Sequence, residues 1–239
     1  MLEHVNLENV LFLDIETVPV NPDFESIQPE IKKFWEKKSA AIRKDNETPE
    51  SVYERAGIYA EFGKIIVICA GHITSRNGAK SLRIKTFSGD DEAKVLADFS
   101  EMLKKFSTNR EIDLCAHNGK EFDFPYIARR MLINGLKLPK ILDVAGRKPW
   151  EVRFLDTMEL WKFGDHKNYT SLDLLAHLFG IQTPKDDIDG SMVASVYWKE
   201  KDLPRIVKYC QKDVVAIAQL LLRYKGEPLL QTEQIELVS

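Results

Sequence analysis

The chain has 239 residues, 44% hydrophobic and 30% charged, with a formal net charge of -3. This composition excludes a disordered chain, and the charge argues against a polybasic coat on nucleic acid while leaving room for a local basic groove. No apolar run approaches the roughly 18 residues of a membrane span, and no basic region with a small-residue cleavage site opens the chain, so a cytoplasmic protein is expected.

The first element is an apolar run from Val10 that predicts a strand over about 10–15. It continues as FLDIETVPV (12–20), which places Asp14 and Glu16 inside the run. Side chains alternate along a strand, so these two acids share one face while Leu11, Leu13 and Ile15 share the other. The carboxylates then lie about 7 Å apart along the strand, where they repel unless they share something positive. A charged stretch (22–55) with helical patterning follows. Two strand-like runs come next, 64–73 and 81–87, joined by the turn-forming Arg76-Asn77-Gly78.

A helix is predicted over 90–106, a short strand over 112–117 and a second helix over 125–134. Thr170-x-x-Asp173 resembles a capping box ahead of a helix that Gly180 ends. The last long helix spans about 203–224, with Pro204 in its first turn. Early strands in meander order, then alternating helix and strand, predict an α/β fold: a mixed sheet flanked by helices. One domain over 1–225 and a peripheral tail over 226–239 are expected. Cys69, Cys115 and Cys210 stand far apart in apolar surroundings, as buried free thiols do.

Two further acids sit where packing alone does not ask for them. Asp123 lies between Phe122 and Phe124 just before Pro125, and taken alone a helix cap is its commoner role. Asp213 falls beside the apolar stripe of the last helix, four residues after Tyr209. The two project from one helix face about 5–6 Å apart, which suits a plain hydrogen-bonded pair equally well. One cluster around divalent cations accounts for all four acids together, because hard cations take oxygen ligands and cancel carboxylate repulsion.

FLDIET, HNGKEFD (117–123) and YCQKD (209–213), in this order and about a hundred residues apart, resemble the DEDD superfamily of 3'-to-5' exonucleases. Tyr209 four residues before Asp213 is similar to its tyrosine-type branch. With LDTMELW (155–161) and SLDLLAHLFGI (171–181), the chain most resembles stand-alone predicted exonucleases related to the proofreading domain of family-B DNA polymerases. The resemblance implies a ribonuclease H-like fold and hydrolysis of phosphodiester bonds with two divalent ions, Mg2+ or Mn2+. It implies Asp14, Glu16, Asp123 and Asp213 as metal ligands and Tyr209 as the residue that orients the attacking water. Thr17, Val18 and Asn118 are the implied substrate contacts. The implied partner is single-stranded nucleic acid with a free 3' end, DNA ahead of RNA, with no obligate protein partner. No polymerase domain follows, so proofreading coupled within this chain is not expected.

Weaker candidates have plain alternatives. Lys33, Lys37 and Lys44 around Trp35 suit a single strand by charge and stacking, but Glu30 and Glu36 between them suit a solvated helix face better. Lys185, Asp186 and Asp187 read as a charged turn after Pro184. His72, His117, His166 and His177 show no ligand spacing. Two rivals remain. A haloacid-dehalogenase phosphatase would use Asp14-Ile15-Glu16-Thr17-Val18 but normally carries Asp where Glu16 stands, and it gives Asp123, Tyr209 and Asp213 nothing to do. A non-catalytic nucleic-acid-binding module would not need all four acids and the tyrosine.

Overall fold

The computed structural model describes residues 2–165, 169–182 and 187–238. Among them one mixed sheet forms, in the strand order β5 (Phe154–Asp156), β4 (Asp113–Ala116), β1 (Val10–Pro19), β2 (Gly63–Arg76), β3 (Ala79–Ser88) and β6 (Ile235–Val238). Its first three strands along the chain are β1, β2 and β3. They run as an antiparallel meander, and Asn77 and Gly78 turn the β2–β3 hairpin with φ of 51° and 81°. Such a primed turn matches the right-handed strand twist, as the Arg76-Asn77-Gly78 signal predicts. β4 and β5 add in parallel on the other side of β1. With helices on both faces, this is the expected α/β arrangement and is consistent with a ribonuclease H-like fold.

Strand alternation sorts the core into two layers. Leu11, Leu13 and Ile15 pack with helix α2 (Glu92–Phe106) and helix α3 (Asp123–Ile133) through Phe99, Leu103, Phe124 and Ile127. Val10, Phe12 and Val18 face the opposite layer, built from the long helix α7 (Leu203–Lys225). α1 (Pro29–Ser39) builds a small core of its own around Trp35, α4 (Thr157–Lys162) and α5 (Leu172–Leu178) pack on α7, and the short α6 (Val193–Ser195) packs on β1. α7 approaches β2 closely at Gly71, where a Cβ would come within 2.7 Å of the Val214 side chain. Ile206, Val214, Ile217 and Leu221 of α7 are wholly buried. Each contributes about 1.5–3 kcal/mol, which holds α7 on the sheet despite the acids it carries inward.

Three expectations change. α5 is capped by Ser171, whose hydroxyl accepts from the Leu174 N–H at 3.3 Å, and not by Thr170. β1 runs four residues beyond the apolar run, to Pro19. After Gly226 the chain does not stay peripheral: β6 (Ile235–Val238) pairs in parallel with β3 at the sheet edge. All three cysteines are free and buried, as expected. No helix of the described residues is long and apolar enough to cross a membrane.

Candidate active site

The site opens where β1 and β4 part. Their pairing covers only Val10, Leu11 and Phe12, so the Ile15 N–H beyond it has no strand partner on that side. The Asp123 carboxylate takes this N–H at 3.2 Å. Asp123 is therefore the first residue of α3 and does not cap it; the helix has no side-chain cap. The loop before α3 is held by Asp156, which is buried and accepts from the backbone N–H of Asn118 (2.9 Å) and Lys120 (3.1 Å). Asp156 also caps α4 through Met158 and Glu159. It positions Asp123, and the signal for it was present as an Asp with Glu159 three residues on, ahead of a helix.

Asp14 and Glu16 point to the α7 face, as alternation requires, and α7 delivers Tyr209, Cys210 and Asp213 to them. Ligand atoms of Asp14, Glu16 and Cys210 lie within 4.8 Å of one another. The Cys210 thiol donates to the Asp14 main-chain carbonyl at 3.4 Å and seats the helix there. Burial, then the Asp213 charge, pushes the carboxyls of Asp14 and Glu16 well above the carboxylate range. Asp123 is raised to about 7, chiefly by burial, with Asp156 and Asp213 adding to it. Tyr209 shares a hydrogen bond with Asp213; burial and the charges of Asp213, Glu16 and Asp14 raise its phenol far above the ordinary value. It stays protonated, a donor and not a base.

Asp14 is partly exposed as a residue, yet its Oδ2 is shut off from solvent and has no hydrogen-bond partner. An orphaned carboxylate oxygen among three further acids is expensive. Oxygen-only acids massed this way fit hard divalent cations, which restore the missing partner and cancel the repulsion. The sign of the resulting pH dependence follows. A carboxyl with a raised folded-state pKa costs nothing below its unfolded value and costs progressively more as pH climbs to the folded one. In chelator-treated protein, Asp123→Asn, which still offers an oxygen to Ile15, should therefore match wild type near pH 4. Its melting temperature should exceed wild type increasingly up to about pH 7. A pH-independent difference would contradict this electrostatic account.

The expected substrate contacts divide. The Thr17 side chain points to the face opposite the acids, hydrogen-bonded to Tyr126. Val18 is wholly buried in the α7-side core and offers no side-chain surface, which leaves only its backbone for the expected contact with substrate. Asn118, with φ of 62°, holds a buried Oδ1 that has no partner beside the Asp156 loop. Tyr169 escaped the sequence reading, since an exposed loop aromatic has no periodic signal. Burial, then the charges of Asp123, Asp156 and Asp213, raises its phenol, so it stands near these acids.

Trp35 is fully buried and donates to the Pro49 carbonyl at 2.8 Å. It cannot stack on a strand, and Lys33, Lys37 and Lys44 are left as exposed surface. His117 ties Thr157 to the Thr170 carbonyl (2.9 and 2.8 Å), and His72 packs edge-on to Phe106. Asp187 pairs with Arg205 at 2.7 Å; Lys185, Asp186 and His166 lie outside the described residues. A family model described as a predicted 3'-5' exonuclease related to the exonuclease domain of PolB matches residues 58–232, well over half of the chain. The match contains Asp123, Tyr209 and Asp213 and begins beyond β1, so Asp14 and Glu16 join the matched residues through the sheet.

Proposed function

The chain belongs to this family of predicted 3'-5' exonucleases related to the exonuclease domain of PolB, and from that premise we propose that it removes 5'-mononucleotides from the 3' end of single-stranded nucleic acid, DNA in preference to RNA. The observation that carries the reading is the orphaned Asp14 Oδ2 surrounded by Glu16, Asp123 and Asp213. These four acids would hold two divalent ions, Mg2+ or Mn2+, which when bound supply polarisation of the phosphodiester and activation of water.

The chain's own groups do the rest. Asp14 and Glu16 present carboxyl oxygens from one face of β1, so the ligand set is in place before substrate arrives. Tyr209 keeps its proton and aligns the attacking water by a hydrogen bond, since a phenol this hard to ionise cannot act as base. Asn118 holds a buried Oδ1 with no partner in the loop beside Asp123, and a shift of that loop on substrate binding would turn this acceptor to a sugar hydroxyl. Purified protein with 5'-labelled single strands of DNA and RNA tests this. A ladder shortening from the 3' end, stopped by EDTA, is the expected result. Internal cuts without a ladder, or full activity in EDTA, would overturn it.

A further inference from the structure

A cavity of about 400 Å³ lies at the end of β1 and is lined by Lys64, Asp90, Tyr197, Trp198, Lys201 and Leu203. Lys64 is the register partner of Val18, which stands two residues, roughly 7 Å along the strand, past Glu16. Opposed residues of an antiparallel pair share a face, so Lys64 and the acids are on the same side of the sheet. The Trp198 Nε1–H donates to the Pro19 carbonyl at 3.1 Å, which ties the cavity wall to the strand that carries Asp14 and Glu16.

The cavity is built around two ammonium groups. Lys64 Nζ stands 5.0 Å from the Tyr197 ring centroid and 5.1 Å from that of Trp198, and it donates to the Tyr197 hydroxyl at 3.0 Å. Lys201 Nζ stands 4.9 Å from the Trp198 centroid. The Tyr197 hydroxyl donates in turn to Asp90 at 2.6 Å. Burial lowers the Lys64 ammonium even with Asp90 and Glu92 nearby, so an incoming anion would repay desolvation that these acids leave uncompensated. Lys201 has φ of 59° at the exit of the π-helical turn Val196–Glu200. Left-handed backbone at a non-glycine residue is strained, and π turns recur at functional sites.

We infer that this cavity is the subsite for the upstream part of the substrate strand, with Lys64 and Lys201 taking backbone phosphate and the Trp198 edge meeting the adjoining nucleotide. The inference rests on the exonuclease reading of the acid cluster. Aromatic rings interleaved with cations are how sequence-blind single-strand grooves hold their ligand. The cavity also supplies positive charge beside four acids that would otherwise repel a polyanion.

The test compares two substrates in wild type, Lys201→Glu and Lys64→Met. One is a labelled single strand of about 12 nucleotides, within the span of single-strand grooves. The other is the nitrophenyl ester of thymidine 5'-monophosphate, which fills the acid cluster alone. In both variants KM for the strand should rise about tenfold or more with kcat little changed. The log–log salt slope of binding should shrink by about 0.7 for each phosphate no longer neutralised, and ester hydrolysis should stay within about twofold. Lys201→Glu decides the matter if Lys64→Met melts early. An unchanged strand KM and salt slope overturns the subsite, as does a parallel fall on both substrates. Wild type that cleaves neither substrate overturns the exonuclease reading itself and the subsite with it.

Discussion

Asp14→Ala should abolish 3'-end cleavage and at the same time raise the melting temperature of the metal-free protein. The two effects have one cause. Asp14 lies within the cluster, where burial and the charges of Asp213, Glu16 and Asp123 act on it, and its Oδ2 has no hydrogen-bond partner. Without cations its charge is opposed first by burial and then by those three acids. Removing it relieves that cost, and each 1 kcal/mol so relieved corresponds to about 2–4 °C at this chain length. With cations the same carboxylate is a ligand, and the loss of metal-borne charge stabilisation, worth several kcal/mol, should lower turnover by at least about 10,000-fold. Asp213→Ala should behave alike. Thermal melts with and without EDTA, run beside single-turnover assays, check both halves. Near-normal turnover in either variant would show that the ligands have been misassigned, and a large drop in metal-free melting temperature would mean the acids are structural.

Tyr209→Phe should slow cleavage about 10- to 1000-fold, or roughly 1.4–4 kcal/mol, and should leave strand affinity nearly unchanged. Tyr209 is nearly buried and sits in the α7-side core, so phenylalanine preserves its packing. What disappears is one hydroxyl, hydrogen-bonded to Asp213 and facing Glu16 and Asp14. All four acids remain, hence the rate falls without vanishing, unlike the Asp14 and Asp213 variants. An interaction made chiefly during attack alters kcat and not ground-state binding. Single-turnover rates beside equilibrium binding decide. An unchanged rate would return Tyr209 to a packing role, and a loss confined to binding would make it a substrate contact.

Much of the site was legible in sequence because its parts are local. The buried strand with acids at 14 and 16, and the helix with Tyr209 and Asp213 one turn apart, each follow from a few residues of backbone geometry. Asp123 was legible only as an acid out of place. Its partner, the Ile15 N–H, is 108 residues away and is open only because β4 pairs with β1 no further than Phe12. Asp156 gave a cap signal, but its hold on Asn118 and Lys120 depends on β5 lying beside β4.

By itself, then, the amino-acid order determined which side chains share a strand face, which share a helix face and where the β2–β3 hairpin turns. Those properties arise from steric limits acting over two to four residues. Only the tertiary structure decided what covers each face. The Lys-rich helix buries Trp35 in a separate aromatic core with Tyr53 and Phe62. Val18, in line with Asp14 and Glu16, is closed over by the layer that contains Tyr197. The segment after Gly226 returns as β6 to an edge that its own pattern does not name. Burial is a property of the partner as much as of the residue, and in this fold the partners are brought together by sheet pairing between segments distant along the chain.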